Sequence, residues 1–276
     1  MPDVSTLTFN NGVTIPQLGY GVFQVPPDET QKLVTIALEA GYRHIDTAEM
    51  YRNEAGVGRA IAESDLPRED IFVTSKLNNN AHAREAALRA FDGTLKALGL
   101  DTVDLFLIHW PIPAQDRYVE AWQALAEVHR DGRARAIGVS NFTVEHLERL
   151  RNETDVVPAL NQIELHPYFV QETLSEYGEQ HQILTEAWSP IGGSGGDVLD
   201  DPTIGTLARK YGKSPAQVVL RWHLQLGNVV IPKSANPARI AENIDVFDFE
   251  LDPEDQATIT GLDRGARTGP DPDQFP

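Results

Sequence analysis

Eight short apolar runs, with helical spacing between most of them, constrain this chain more than any other feature. The runs cover 17–21, 43–47, 71–77, 103–109, 134–140, 159–165, 184–189 and 229–233. Between them, 29–40, 54–62, 84–98, 119–130, 144–150 and 171–179 mostly carry apolar residues three and four apart, the spacing of a helix face. A strand that passes through a helix before the next strand predicts parallel pairing, because parallel neighbours need a long crossover. Repeated over 276 residues, near the roughly 250 typical of one closed α/β barrel, the pattern predicts a single (β/α)8 TIM-barrel domain over 1–276. Extra helices are expected near the C-terminus. Ser214-Pro215, Asn236-Pro237 and Asp252-Pro253 each place proline just after a capping residue, a helix-start signal. At the other end, 6–9 and 13–15 flank Asn10-Asn11-Gly12 and predict a hairpin turned on Asn-Gly that plugs the lower end of the barrel.

Composition excludes several functions. Hydrophobic residues make up 41% of the chain, enough for a sizeable core, and no run approaches the roughly 18 apolar residues of a membrane span. Met1-Pro2-Asp3-Val4-Ser5 has neither the basic nor the apolar region of a secretory leader, so a cytoplasmic location is expected. With no cysteine, disulfides, thiolate nucleophiles and Cys-based zinc sites are all excluded. A net charge of −18 opposes docking on phosphate backbones or anionic membranes, so neither nucleic acid nor membrane is an expected partner. Any anionic ligand must find its positive charge concentrated locally.

Chemistry gathers at the strand ends. Asp46, Tyr51, Lys76 and His109 sit at or just beyond the ends of the second, third and fourth runs, which in a barrel would bring them to one face, where such barrels carry their active sites. An ammonium beside a phenol favours the phenolate and lowers the phenol pKa. A carboxylate to hold the lysine and an imidazole to aim a carbonyl complete a carbonyl-reducing set.

The text around these residues is also specific: Leu18-Gly19-Tyr20-Gly21, Gly41-Tyr42-Arg43-His44-Ile45-Asp46-Thr47-Ala48, Ile137-Gly138-Val139-Ser140-Asn141, Asn161-Gln162-Ile163-Glu164-Leu165-His166-Pro167 and Ile231-Pro232-Lys233-Ser234. In this order and spacing the chain resembles the aldo-keto reductases along nearly its whole length, most closely the bacterial 2,5-diketo-D-gluconate reductases. The resemblance implies a monomeric oxidoreductase that reduces small carbonyl compounds with NADPH. It implies Tyr51 as proton donor, Lys76 lowering its pKa, Asp46 fixing Lys76, and His109 hydrogen-bonding the carbonyl oxygen. Ser140, Asn141 and Gln162 match the positions that hold the nicotinamide carboxamide, and Trp188 the ring stacked on it. Ser189, Ile191 and Gly192 continue the cofactor site, with the glycines at 192–196 as a flap over the pyrophosphate. Lys233, Ser234 and Arg239 match the adenosine 2′-phosphate pocket, and Glu242 and Asn243 the adenine edge. Their local excess of positive charge against the acidic background favours NADPH over NADH.

Other patterns lead elsewhere. No Gly-x-Gly-x-x-Gly follows the first run, so a Rossmann site is not expected. Gly192-Gly193-Ser194-Gly195-Gly196 matches the hydrolase nucleophile elbow in letters, but it runs on into Asp197-Val198-Leu199-Asp200-Asp201-Pro202, which reads as loop. Glu164 with His166, or His44 with Asp46, lacks a third spaced ligand, so no metal is expected. A Schiff-base lyase using Lys76 is opposed by Asp46, which keeps the amine protonated. A barrel that binds NADPH without turnover is opposed by the intact set of four.

For the substrate, Phe23, Met50, Trp110, Ile112 and Ile191 are candidates for an apolar wall. Asn78 stands where close relatives carry tryptophan, which predicts a wider and more polar pocket. The tail at 264–276 is expected to close over the site, with Pro270, Asp271, Pro272 and Asp273 making it stiff and negative. Neutral aldehydes, ketoaldehydes and diketones are therefore expected over sugar acids, with 2,5-diketo-D-gluconate as the alternative substrate.

Overall fold

The structure is a computed structural model that describes residues 4–193 and 197–275. Two short strands open it, β1 (Thr6–Thr8) and β2 (Thr14–Pro16), followed by β3 (Tyr20–Gly21), α1 (Pro27–Ala40) and β4 (His44–Asp46). Next come α2 (Glu54–Ala62), β5 (Phe72–Leu77), α3 (Arg84–Leu98), β6 (Val103–Ile108) and α4 (Tyr118–Arg130). The second half contains β7 (Ala134–Ser140), α5 (Val144–Glu153), β8 (Leu160–Glu164), α6 (Glu172–Gln180) and β9 (Leu184–Trp188). It ends with α7 (Pro202–Tyr211), α8 (Pro215–Gln225), β10 (Val229–Val230), α9 (Pro237–Ile244) and α10 (Pro253–Thr260).

Strands β3 to β10 form one eight-stranded sheet in chain order, every pair parallel. A parallel bridge between Leu18 and Val230 joins the two edges and closes the barrel, with Gly19 N donating to Val230 O (2.8 Å) and Val230 N to Gln17 O (2.9 Å). The (β/α)8 expectation holds, including the extra helices, whose proline starts at Pro202, Pro215, Pro237 and Pro253 follow Asp201, Ser214, Asn236 and Asp252 caps. The first and last barrel strands are shorter than their apolar runs, because bridges and single hydrogen bonds replace regular pairing at the seam.

Alternation along each strand divides the core. Phe72, Leu105, Leu107, Ala136, Leu160 and Val229 pack with Phe9 and Ile15 of the hairpin, so the hairpin fills the end of the barrel as expected. Neighbours such as Val73, Phe106, Ile108, Ile137 and Val139 instead join the helices in the larger core. The hairpin turn differs in detail. Phe9 N donates to Val13 O (2.9 Å) across a three-residue loop, and Gly12 takes the left-handed conformation (φ 85°). That is a bulged loop in place of a two-residue Asn-Gly turn, and glycine is the residue such a loop needs.

Candidate active site

Barrel register stacks interior side chains toward the C-terminal end of the strands. In β8 and β9 the pairs are Leu160 with Leu184, Gln162 with Glu186, and Glu164 with Trp188. In β4 and β5, His44 pairs with Phe72 and Asp46 with Thr74, with Lys76 two residues further on. The interior is apolar against the hairpin and polar above it. His44, Thr74, Asp46, Lys76, Gln162 and Glu186 are all buried, and such groups persist only where they bond one another.

Lys76 Nζ donates to both Asp46 oxygens (2.7 Å each) and to Thr47 O (2.9 Å), three acceptors for three N–H groups. Burial opposes its charge, but Asp46 together with Tyr51 and Glu186 outweighs burial and raises the ammonium pKa, so the site holds a cation. Tyr51 lies in the 3-10 turn Glu49–Tyr51, with its ring centroid 5.3 Å from Nζ. The phenol pKa is pushed up to about 12 by burial, with Lys76 pulling down against it. Lys76 therefore acts in the direction the sequence implies, but desolvation exceeds it, and the phenol carries its proton at neutral pH. His109 meets the Tyr51 ring edge-on, centroids 5.6 Å apart. Burial and then Lys76 hold its pKa well below the ordinary imidazole value, so the ring is neutral, and its Nδ1 has no hydrogen-bond partner among the described residues.

A second polar layer adjoins this set. Ser140 Oγ donates to Gln162 O (2.9 Å), Asn141 Nδ2 donates to His109 O and Ser140 Oγ (3.0 Å each), and Trp188 Nε1 donates to Asn141 Oδ1 (2.8 Å). Asn141 adopts φ 63°, a left-handed conformation that asparagine tolerates better than most residues. Ser189, also left-handed (φ 50°), and Ile191 are half-buried, Gly192 is buried, and Gly192 N turns back to Ser189 O (2.9 Å). Of the 192–196 stretch expected as the flap, Gly192 and Gly193 are described, both at positive φ (91° and 63°), while 194–196 lie outside the described residues. The 3-10 turn Asp197–Asp200 follows.

Beyond β10, Lys233 and Arg239 are exposed and form no ion pair with any described residue. They flank the start of α9, whose Asn236 cap accepts from Ala238 N (2.9 Å), while Ser234 Oγ accepts from Asn236 N (3.1 Å). Glu242 is half-buried and Asn243 buried on the same helix.

The substrate-wall candidates separate. Phe23 and Met50 are exposed (54% and 38%), Trp110 stacks on Phe275 of the tail (centroids 4.3 Å, 17°), and Ile112 has no accessible surface at all. Ile112 is also left-handed (φ 45°), an uncommon conformation for a β-branched residue. It supports the loop from within instead of presenting a surface. Asn78 is half-buried, and its Oδ1 accepts from Asn79 N (2.8 Å).

Sequence reasoning missed what Glu164 does. Its Oε1 accepts from Thr268 N and Thr268 Oγ1 (2.6 Å each) and lies 3.1 Å from His166 Nε2, and its Oε2 accepts from Gly269 N (2.8 Å). This carboxylate latches the tail across the open end of the barrel. Arg264 stacks over Tyr168 and Arg267 over Phe169 (3.6 and 4.6 Å to the ring centroids), which continues the attachment. Gly269 passes so close to Trp188 that a Cβ would fall 2.3 Å from its ring. The signal was available: Thr268-Gly269 after two arginines, opposite a buried acid in a strand.

The model of the aldo/keto reductase family matches residues 16–264. The chain belongs to that family. It is 54% identical over 269 residues to an aldo-keto reductase of Mycolicibacterium smegmatis, covering 98% of this chain and 97% of the relative. It is 50% identical over 275 residues to the methylglyoxal reductase DkgA of Escherichia coli K12, covering 100% and 99%. Among solved structures it is similar to a mutant of Gox0644 in complex with NADPH, with TM-score 0.95, 48% identity and full coverage of both chains. Among the described residues no helix is long and apolar enough to cross a membrane.

Proposed function

We propose that this chain is an NADPH-dependent carbonyl reductase in which Tyr51 protonates the oxygen of an aldehyde, ketoaldehyde or diketone. The observation that carries the reading is the Tyr51 phenol packed against the Asp46-clamped Lys76 ammonium and edge-on to the buried His109 imidazole. NADPH, when bound, would supply the hydride. Tyr51 gives up its proton as negative charge develops on the substrate oxygen, and the Lys76 charge, which cannot overcome burial at rest, then stabilises the phenolate. Asp46 keeps Lys76 charged and fixed. A neutral His109 has one N–H to offer the carbonyl oxygen, and Lys76 discourages the doubly protonated ring.

The residues suit the cofactor. Ser140, Asn141 and Gln162 would hold the carboxamide, Trp188 the ring face, and Ser189, Ile191 and Gly192 the adjoining stretch. Two exposed cations without ion-pair partners among the described residues, with a hydroxyl at a helix start, suit a phosphate dianion, so Lys233, Ser234 and Arg239 would hold the 2′-phosphate. Glu242 and Asn243 would border the adenine. A Schiff-base role for Lys76 is disfavoured by its raised pKa and its three bonds.

For the substrate, the exposed Phe23 and Met50 with the small amide of Asn78 support a roomy pocket, and Asp271 and Asp273 of the tail disfavour carboxylates. The name of the Escherichia coli relative fits a ketoaldehyde. The test follows NADPH absorbance with methylglyoxal, bulky aldehydes, α-diketones and 2,5-diketo-D-gluconate. Turnover of the neutral compounds at higher kcat/KM supports the reading. A strong preference for diketogluconate overturns the substrate assignment, and no turnover of any carbonyl overturns the function.

A further inference from the structure

Glu186 is a completely buried acid inside the barrel, one strand from Gln162 and close to the Asp46–Lys76 pair, and the proposed chemistry does not use it. Gln162 Nε2 donates to Asp46 Oδ2 (2.9 Å) and to Glu186 Oε2 (2.8 Å), so both of its amide hydrogens are turned inward. The Gln162 side-chain oxygen bonds no described residue. By contrast, Asn141 already has both amide hydrogens engaged, and its oxygen accepts from Trp188. Of the three carboxamide-binding candidates, Gln162 is the one with an uncommitted carbonyl, and Asp46 and Glu186 together hold it outward.

We propose that Glu186 is a positioning residue for the nicotinamide, acting as a neutral acid that accepts the second Gln162 N–H and fixes the Gln162 carbonyl toward the cofactor. This rests on the cofactor reading above. Burial and the Asp46 anion favour its neutral form and outweigh the Gln162 hydrogen bond and the Lys76 charge, which favour the carboxylate. Asp46 on β4 is an anion, and Lys76 on β5 is already committed to Asp46 and Thr47. His44 on β4 lies 3.8 Å from Glu186 Oε1 and is held neutral by burial and Lys76, with its pKa down at about 3. Thr74 is committed to His44 (3.0 Å), and Gln162 supplies only a dipole. Burial and then Asp46 push the Glu186 pKa up to about 8. The Oε1 atom has no hydrogen-bond partner among the described residues, and an unpaired carboxylate oxygen there would cost more than an unpaired neutral one. Gly19, just before β3, packs directly on the His44 ring, and a Cβ there would fall 2.4 Å from a ring nitrogen.

The experiment compares Glu186→Gln, which keeps a neutral acceptor, with Glu186→Leu, which removes it. Dissociation constants are measured by tryptophan quenching for NADPH and for 2′-phospho-ADP-ribose, which lacks the nicotinamide. Glu186→Gln should bind both ligands as wild type does at pH 7. Glu186→Leu should bind the fragment normally and NADPH about tenfold more weakly, the loss of one net hydrogen bond. Infrared spectra of the wild type without ligand should show a carboxyl C=O band that disappears around pH 8 and is absent from Glu186→Gln. NADPH binding by Glu186→Leu at wild-type strength overturns the proposal, as does a titrating band that persists in Glu186→Gln. Fragment binding reports on the fold and cofactor groove apart from Glu186, so a wild type that binds neither ligand refutes the cofactor reading instead.

Discussion

Replacing Glu164 by glutamine should release the tail without disturbing the barrel. Three of its four hydrogen-bonding contacts reach the tail, at 2.6, 2.6 and 2.8 Å. Hydrogen bonds to a charged group contribute about 1.5–3 kcal/mol each. Against them stands the entropy of ordering the tail backbone, about 1–2 kcal/mol per residue, offset also by the stacking of Arg264, Arg267 and Phe275. The latched state is thus a small difference between large quantities. Glutamine keeps one acceptor oxygen and turns an NH2 toward amide donors, a loss of about 2–4 kcal/mol. That moves the open-to-closed ratio by roughly two orders of magnitude.

Hydrogen exchange at the Thr268 and Gly269 amides is the direct assay, with strand amides such as those of β6 as internal reference. Exchange should accelerate at 268 and 269 and stay unchanged in β6. Trp188 fluorescence should change too, since Gly269 covers its ring edge. Equal protection in the variant would show that stacking, not the carboxylate, holds the tail. The pH dependence has a definite sign. Burial raises the Glu164 pKa, but His166, Thr268 and Gly269 lower it further, to a net value below the ordinary 4.5. A depressed carboxylate contributes its stabilisation above the unfolded value and loses it as pH falls through the folded one. The wild-type latch should therefore hold from neutral pH down to about 4.5 and open only in stronger acid.

Tyr51→Phe should abolish carbonyl reduction and leave the NADPH dissociation constant unchanged, because only the transition state uses the phenolic proton; comparable turnover would remove Tyr51 as the acid. Arg239→Ala should weaken NADPH more than NADH, and equal losses in a binding titration would place the phosphate contact elsewhere. Asn78→Trp should exclude the bulkiest carbonyls by about 1–3 kcal/mol, read as kcat/KM over a size-graded series; an unchanged ranking would show that the residue does not face substrate. Glu186→Gln should be more stable than wild type by a margin that grows between pH 4.5 and about 8. The native state there holds a proton that the unfolded chain has lost, so wild-type stability falls by about 1.4 kcal/mol per pH unit; a pH-independent gap in denaturant midpoints would rule out a neutral buried acid.

The parts legible in the sequence are those fixed by local pattern. Periodicity placed α2, α3 and β7 to the residue, because each is bounded by a sharp change of spacing or a cap, such as Gly99 in left-handed conformation after α3. Helix starts at Pro215, Pro237 and Pro253 followed from capping chemistry. Asp46, Lys76 and His109 were visible because a charged or polar residue ending an apolar strand is conspicuous, and a parallel barrel sends all such ends to one face. What the letters withheld depends on which strand faces which. Ile112 looks like wall material by hydrophobicity, yet its buried left-handed backbone gives it a structural place. The net effect on the Tyr51 phenol could not be read either, since a nearby lysine is visible in sequence and the degree of desolvation is not.

Glu186 shows where the difficulty lies. In Leu184-Thr185-Glu186-Ala187-Trp188 it resembles an exposed polar residue on an alternating strand, and only the register against β8 turns it inward beside Gln162. Once eight strands are closed in order, the same alternation that sends Leu160 and Leu184 to the hairpin end sends Gln162 and Glu186 to the polar layer above it. An interior acid there is tolerable because Gln162 bonds it and because it need not ionise. The Lys76 cation and its Asp46 partner occupy the adjoining positions, and a second buried anion would compete with Tyr51 for the stabilising charge of Lys76. The layer beneath the proposed chemistry is therefore coupled to it through one amide, and the proton on Glu186 keeps that layer from opposing the phenolate that forms when Tyr51 gives up its own.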